Sequence, residues 1–480
     1  MRRLAPIALL VACLTSEPAA AGGAENSDRL FNLVIINCDD LGWGDLGSYG
    51  NREIRTPRLD RLACEGTRFT SFYSAQPVCS ASRAALLTGC YSNRVGISGA
   101  LPPNARRGIH EDETTLGELL KSRGHTTAIH GKWHLGDDLR FLPTRHGFDE
   151  YLGIPYSNDM WPHHPSRKDF PPLPLVEGES VIERMPDQRL LTGRYTDRAL
   201  RFIERNRDRP FFLYLAHTMP HVPLHASDAF AGKSRRGLYG DVIEEIDDST
   251  GRILDALEAN GLDRRTWVIF TSDNGPWHTY GSHAGSAGPF REGKLSVFEA
   301  GVRVPCIMRW PGRIPAGRVC DEPLMTIDIF PTVAKAAGAA LPSLPIDGKD
   351  VWPVLAGEPG ARTPHPAYFF WYGDGELQAL RSGRWKLHLP HKASGLRGRP
   401  GGEGGKPVAS EEIAVGLELY DLEADPGESR DVAAANPEVV KGLLVHAESA
   451  RAELGDSLTK RTGKGVREPG RLPEAAKKEE

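Results

Sequence analysis

Two pairs of oxygen-bearing side chains, Asp39-Asp40 and Asp273-Asn274, stand far apart in this chain, each directly after an apolar run. Adjacent carboxylates repel each other, and a hard divalent cation with oxygen ligands relieves that repulsion. Either pair alone is better explained as a helix cap or turn; the two at matching strand ends point to a metal site. A third cluster is Cys79-Ser80-Ala81-Ser82-Arg83. Its cysteine stands just before an apparent helix start, where free backbone N–H groups and the helix dipole favour an anion. Arg83 follows one turn later, close enough to act on the same centre. The plainer readings are a buried structural thiol with a surface Arg, or a thiolate nucleophile, which needs an orienting base that the neighbouring sequence does not supply. Lys132 and His134 in Gly131-Lys132-Trp133-His134, His221 in His217-Thr218-Met219-Pro220-His221, and Lys294 in Gly293-Lys294-Leu295 add polar groups near strand ends. Each is unremarkable in isolation. Summed, they make a cationic pocket beside an oxygen-lined metal site, suited to a small tetrahedral oxyanion, sulfate or phosphate. The residue types do not choose between the two.

These groups must be delivered by the elements before them. Phe31 to Asn37 (FNLVIIN) and Thr266 to Thr271 (TWVIFT) read as buried parallel strands, and Thr126 to His130 and Phe211 to Ala216 as two more. Helices are expected at Thr56 to Gly66, Ser82 to Thr88, Thr114 to Ser122, Tyr195 to Asn206 and Tyr239 to Asn260. Phe69 to Ser74 is a further strand. Alternating strands and helices predict an α/β domain with a mostly parallel sheet flanked by helices, and ligands at the carboxyl ends of its strands. From about Pro364 the texture changes. Short strand-like pieces at Ala367–Tyr372, Gln378–Arg381, Trp385–Leu389 and Leu417–Leu422 predict a smaller antiparallel sheet, with one helix at Pro437–Leu454. The Gly-rich stretch Ser394 to Lys406 is expected as a mobile loop, and the charged segment after Asp456 as a disordered tail. The expected division is therefore a signal at 1–24, a catalytic domain at 29–363, a C-terminal subdomain at 364–455 and a tail at 456–480.

Composition excludes several classes. With 59 basic and 63 acidic residues the net charge is −4, which gives no general attraction to nucleic acid or anionic membranes. Met1-Arg2-Arg3, the apolar run Ile7 to Leu14 and Pro18-Ala19-Ala20-Ala21-Gly22 look like an export signal, placing the protein in the periplasm or outside the cell. Leu10-Val11-Ala12-Cys13 also fits lipoprotein processing, which would anchor the chain through Cys13. No stretch is long enough to span a bilayer. Seven cysteines in a chain of this length, with no CxxC pair, argue against a disulfide scaffold or a structural zinc site.

On these residues the chain resembles the formylglycine-dependent sulfatases. Cys79-Ser80-Ala81-Ser82-Arg83 with Leu87-Thr88-Gly89 is similar to their signature, in which the cysteine is oxidised to formylglycine. Asp39 to Asp45 (DDLGWGD), Gly131-Lys132-Trp133-His134, Ser272-Asp273-Asn274-Gly275 and Gly293-Lys294 with Glu299-Ala300-Gly301-Val302-Arg303 resemble the other blocks. Gly153 to Asp159 (GIPYSND) resembles the arylsulfatase A and N-acetylgalactosamine-6-sulfatase branch. The resemblance implies an alkaline-phosphatase-like fold and hydrolysis of a sulfate monoester, on a sulfated carbohydrate or aryl sulfate. It implies Ca2+ bound by Asp39, Asp40, Asp273, Asn274 and the modified Cys79, and a formylglycine-generating enzyme as maturation partner. It implies a hydrated aldehyde whose one hydroxyl attacks sulfur and whose second lets sulfate leave. Arg83 would stabilise that diol, Lys132, Lys294, His221 and Ser157 would contact the sulfate, Lys294 or His221 would protonate the leaving oxygen, and His134 would be the base for collapse. Two positions depart from the pattern: Ala81 stands where Pro is common, and Cys90 where Arg is frequent. A phosphate or phosphonate ester hydrolase on the same fold, and a non-catalytic binding protein, are the competing readings.

Overall fold

The computed structural model describes residues 31–473. The expected signal segment with Cys13, and residues 474–480, lie outside the described residues. In chain order the first elements are β1 (Asn32–Cys38), α1 (Pro57–Glu65), β2 (Thr67–Tyr73), α2 (Cys79–Thr88), β3 (Arg107–Gly108), α3 (Leu116–Lys121), β4 (Thr126–Gly131), β5 (Glu150–Gly153), β6 (Pro174–Glu177) and β7 (Ser180–Arg184). Then come α4 (Leu191–Arg205), β8 (Phe211–Ala216), α5 (Leu238–Ala259), β9 (Thr266–Ser272), α6 (Glu299–Val302), β10 (Arg303–Arg309), β11 (Arg318–Cys320), β12 (Leu324–Met325), α7 (Ile329–Ala336) and α8 (Trp352–Leu355).

One large sheet runs in the order β11-β2-β10-β9-β1-β8-β4-β5-β6-β7, with β12 on β2. Its centre, β9-β1-β8-β4-β5, is parallel throughout. β10 lies antiparallel between β9 and β2, and β6 and β7 close the other edge antiparallel. Every residue of β1 is buried, which is why it reads as an unbroken apolar run rather than an alternating one. Its two faces serve different layers. Leu33 and Ile35 pack with Leu119 of α3 and Phe330 of α7. Val34 and Ile36 pack with Leu59 of α1, Phe202 of α4 and Ile246 of α5. Each such side chain contributes about 1.5–3 kcal/mol when fully buried. The sheet with helices on both faces is the expected alkaline-phosphatase-like architecture.

The smaller part also follows expectation. β13 (Tyr368–Tyr372), β14 (Glu376–Ser382), β15 (Trp385–His388) and β18 (Glu418–Asp421) form a four-stranded antiparallel sheet, with β16 (His391–Gly395) and β17 (Glu411–Val415) as a separate hairpin. Helix α9 (Pro437–Leu454) packs Leu443 and Ala447 against Phe370 and Leu380.

Two expectations are corrected. The stretch Ser394 to Lys406 is not a free loop. Its glycines let backbone meet backbone: Gly402 N–H donates to Thr279 O (3.0 Å), Ser282 N–H donates to Gly402 O (3.1 Å), and Val408 N–H donates to Thr279 O (3.0 Å). A side chain at Gly401 would come within 2.1 Å of His278 O. The segment after Asp456 is likewise ordered through Pro473. β19 (Gly470–Arg471) pairs with β3, and Arg467 grips Glu113 through Nε and Nη2 at 2.6 and 2.7 Å. A polar, charged segment can be fixed by ion pairs and strand hydrogen bonds without apolar content, which composition does not register. The same Arg467 brings Nη2 to 3.4 Å from Cys90 Sγ. A guanidinium from the chain end thus reaches the position where the family pattern carries Arg.

Sequence reading also passed over β3, β5, β6, β7, β10, β11, β12, β16, β17 and β19, and the helices α6, α7 and α8. All of these strands but β10 have five residues or fewer, too short for a periodic signal.

Candidate active site

Because β1, β4, β8 and β9 run parallel, their carboxyl ends open at one edge, and β2 also ends there, leading into α2. The ends are stitched together. Asp39 N–H donates to Met219 O after β8 (3.2 Å), Asp273 N–H to Cys38 O (3.0 Å), and Lys132 N–H to Ala216 O (2.8 Å). Gly131 is needed for the last contact: its φ is +122° and a Cβ there would lie 1.8 Å from Ala216 O. Asp40 itself is left-handed, φ +65°, a region Asp tolerates better than most residues. Its N–H donates to Asp273 Oδ1 at 3.2 Å, which ties the two acidic clusters together.

Cys79 is the first residue of α2, not the residue before it. Val78 serves as N-cap without a side-chain cap, so the positive end of the helix faces the pocket. The thiol donates toward Asp39 Oδ1 (3.6 Å) and accepts from Lys294 Nζ (3.4 Å). One turn on, Arg83 is fully buried. It donates to Asp273 Oδ2 from Nε at 3.0 Å and to Lys132 O from Nη1 at 2.8 Å, with Nη2 at 3.4 Å from Asp39 Oδ2. Lys132 pairs with Asp39 and donates to Ser157 Oγ at 3.1 Å. Lys294 donates to Asp40 Oδ1 (2.6 Å), as does Asn274 Nδ2 (2.7 Å). His221 places Nε2 3.6 Å from Asp40 Oδ2, with its Nδ1 against Val222 O at 2.5 Å. His134 is buried at φ +66°, with Nε2 3.0 Å from Leu101 O. All of the expected site residues therefore gather at one sheet edge.

The charges are balanced by proximity. Burial alone raises the Asp39 carboxyl, but Lys132, His221, Arg83 and Lys294 outweigh it and hold it well below the usual range. Asp273 absorbs the repulsion: burial, then the Asp39 charge, push it up to about 6. Burial and then Asp39 push the Cys79 thiol up to about 12, so the unmodified side chain is a protonated thiol at neutral pH. Burial works against charge on Lys132 and Lys294, yet Asp39 and Asp40 respectively raise them. His134 is held well below its usual value by burial, then by Lys132 and Arg83. It is a neutral imidazole, and its Nδ1 is buried without a partner.

The donor set fits a hard divalent cation. Ligand atoms of Asp39, Asp40, Cys79 and His221 lie within 4.8 Å of one another. Asp40 Oδ2 and Asn274 Oδ1 are buried oxygens with no hydrogen-bond partner. Unsatisfied buried acceptors facing an acidic cluster are what an oxygen-ligated ion would complete.

Three participants escaped sequence reading. Trp277 carries the Lys294 ammonium over its ring at 4.7 Å and sits 5.6 Å from the His221 ring. It follows Asn274 by three residues, and that adjacency was the available signal. Tyr372 of β13 comes from the C-terminal sheet and lies near enough to feel the charge of Lys294. Glu292 ties the Lys294 segment to the hairpin, accepting from Leu396 N–H (2.8 Å) and Arg397 N–H (3.0 Å). Neither of the last two contacts has a local sequence sign.

Comparison with known proteins agrees with this geometry. Residues 31–339 match the family described as Sulfatase, and residues 363–467 match the C-terminal region of aryl-sulfatase. The N-acetylgalactosamine-6-sulfatase of Canis lupus familiaris is 42% identical over 389 residues, covering 77% of this chain and 74% of that protein. The arylsulfatase A of Homo sapiens is 39% identical over 459 residues, covering 89% of each. Among solved structures, the PsFucS1 sulfatase from Pseudoalteromonas sp. superposes with a TM-score of 0.78 at 28% identity, covering 88% of this chain and 91% of that one.

Proposed function

The chain belongs to the sulfatase family of sulfuric ester hydrolases, and we propose that it cleaves a sulfated carbohydrate or aryl sulfate with a formylglycine made from Cys79, beside a calcium ion. The observation that carries this reading is the position of Cys79 Sγ, at a helix N-terminus between the Lys294 ammonium and the Asp39 carboxylate. A thiol held protonated there is a poor nucleophile. Oxidised to formylglycine, residue 79 supplies a hydrated aldehyde, whose one hydroxyl serves as nucleophile and whose second permits release of sulfate. Asp39, Asp40, Asp273 and Asn274, with residue 79, would hold calcium, which would supply a Lewis acid there.

The chain's own residues do the rest. Arg83, fixed by Asp273 and the Lys132 carbonyl, holds positive charge against the nucleophile. Lys132 and Ser157, joined at 3.1 Å, present donors to sulfate oxygens. His221, whose Nδ1 faces the Val222 carbonyl, donates through Nε2 only when protonated, and then adds positive charge as charge moves from sulfur to the leaving oxygen. Lys294, at the mouth of the pocket, is placed to protonate that oxygen. His134, neutral, deeply buried and with a free Nδ1, would act as the base that takes a proton from residue 79 as sulfate leaves. The reading also includes export through the N-terminal segment and maturation by a formylglycine-generating enzyme that accepts Ala81.

The test is direct. In protein made with such an enzyme, the tryptic peptide Phe69–Arg83 should be lighter than the thiol form by about 18 Da, the mass of one water. The same protein should hydrolyse 4-nitrophenyl sulfate, and Cys79→Ala should not. Turnover by the alanine variant at the native rate would sink the proposal.

A further inference from the structure

The large sheet has a second edge, opposite the one that carries the active site, and it is lined with arginine. The starts of β1, β4, β8 and β9 lie side by side there. Thr126 N–H donates to Pro210 O (3.0 Å), Phe211 N–H to Asn32 Oδ1 (3.2 Å), and Asn32 Nδ2 to Thr266 Oγ1 (3.2 Å). The segments just before β4, β8 and β9 carry Arg123, Arg207, Arg209, Arg264 and Arg265, all exposed. β10 runs antiparallel to β9, so its end brings Trp310 to the same edge. Exposed Arg313 lies with its guanidinium 5.4 Å from the centre of that ring. The loops that carry these arginines are fixed by contacts to backbone. Trp310 Nε1 donates to Arg264 O (3.2 Å), Arg265 Nη2 donates to Arg207 O, and Arg123 Nε donates to Ala337 O (3.1 Å).

Acidic groups do not neutralise this edge. Arg309 takes up Asp263 at 2.6 Å and Glu65 at 2.8 Å, and Asp208 lies 3.6 Å from Arg207. Glu204, exposed on the last turn of α4, adds one further negative charge. The guanidinium groups of Arg209, Arg264 and Arg313 make neither a hydrogen bond nor an ion pair among the described residues. The edge is therefore positive although the whole chain carries −4. These cations do not serve the catalytic pocket, because the seven residues of β1 hold the two edges about 23 Å apart. The chain also enters the fold here. Phe31, the first described residue, packs on Trp310 with ring centroids 4.7 Å apart. The export segment thus joins the sheet at the arginine edge, and an acyl chain on Cys13 would tether the molecule by it.

We propose that the arginine edge is a docking surface for an anionic phospholipid bilayer, which holds the molecule with its catalytic edge turned away from the membrane. Arginines brought within a Debye length of lipid phosphates are attracted without any pocket. A sulfated polysaccharide held here would lie on the far side of the sheet from Cys79, so capture of substrate is the poorer account of this surface. The inference does not depend on the sulfatase reading.

Co-sedimentation with vesicles tests it. The full chain is compared on phosphatidylethanolamine–phosphatidylglycerol vesicles and on phosphatidylcholine vesicles at low salt, and the ratio of the two partition coefficients is read. In that ratio any contribution of an acyl chain on Cys13 cancels. The native protein should favour the anionic vesicles, and the preference should shrink as salt screens it. In the triple variant Arg209→Gln, Arg264→Gln, Arg313→Gln the ratio should fall towards one, by up to roughly 100-fold, or about fivefold per charge. These three side chains make no hydrogen bond or ion pair in the fold, so Tm should stay close to native. A second triple variant with the same change of charge, Arg430→Gln, Lys441→Gln, Lys460→Gln, in the C-terminal part, should keep the native ratio. Amide hydrogen exchange on the anionic vesicles should slow in peptides spanning 204–210 and 262–266, and not in 276–296. No preference in the native protein, an equal loss in the second variant, or slowed exchange at 276–296 instead overturns the inference. Binding to heparin through the same arginines without binding to vesicles also overturns it, and assigns the edge to a polysaccharide.

Discussion

Lys294 Nζ lies 3.4 Å from Cys79 Sγ, although 215 positions separate the two residues in the chain. The contact is set by backbone. Lys294 N–H donates to Pro276 O (2.9 Å) and Leu295 N–H donates to Pro77 O (3.0 Å), so the lysine segment is pinned between the β9 block and the approach to α2. Leu295 accepts a φ of +70° to do so.

That pinning gives the first prediction. Lys294→Met should lower kcat by roughly 10²–10³-fold, the usual cost of one donor to developing charge. If the lysine also protonates the leaving oxygen, the loss should be greater for a sugar sulfate than for 4-nitrophenyl sulfate, whose phenolate departs without a proton. Equal losses on the two esters would remove the acid role.

Metal dependence is the second. Chelation should lower both activity and Tm, and added calcium should restore both, because an ion bound only by the folded state stabilises it by mass action. In Asp273→Ala the calcium-induced rise in Tm should vanish along with activity. A variant that still melts higher with calcium would show that Asp273 is not a ligand.

The third concerns the join between the two parts of the molecule. Glu299 is fully buried; it accepts from Lys386 Nζ (2.8 Å), Arg303 Nη1 (3.0 Å) and Tyr73 OH (2.6 Å). Glu428 accepts from Lys386 and His388 at 3.0 and 2.7 Å, and from Glu299 N–H at 2.6 Å. Burial opposes ionisation of Glu299, but Lys386, Arg303 and Arg381 overcome it and lower its pKa from 4.5 to about 2. A carboxylate depressed in the folded state contributes stability that is complete above the unfolded value and lost as pH falls through the folded one. The Tm of the native protein should therefore drop between about pH 4.5 and 2. Glu299→Gln should be less stable at pH 7 and should lose less over that window. Parallel curves for the two proteins would refute the assignment.

The fourth tests the ordered chain end. Arg467→Ala leaves Glu113, 4% exposed, without its bidentate partner and frees the site beside Cys90. Urea unfolding should show a loss of about 1–3 kcal/mol, below the value for a fully buried pair because Arg467 is partly exposed. No measurable loss would mean that the segment after Asp456 contributes nothing to the fold.

The sequence by itself determined what could be read locally. Unbroken apolar runs named β1, β8 and β9 as doubly covered strands, and the residues just after such runs named Asp39, Asp40, His221, Asp273 and Asn274. Because parallel strands share a carboxyl end, knowing each run's direction was enough to gather these groups at one edge. Arg83 followed from Cys79 by helical period alone.

What only the tertiary structure decided was every contact whose partners lack a common local pattern. The docking of residues 394–406 depends on glycines meeting the 279–282 turn, and composition alone reads the same glycines as freedom. The ordering of Arg467 and β19 depends on Glu113, Cys90 and β3, all remote in sequence. Tyr372 and Glu292 join the neighbourhood of Lys294 only because the C-terminal sheet and hairpin fold back onto it. Local periodicity reports which face of an element is buried; it carries no information about which distant segment will bury it.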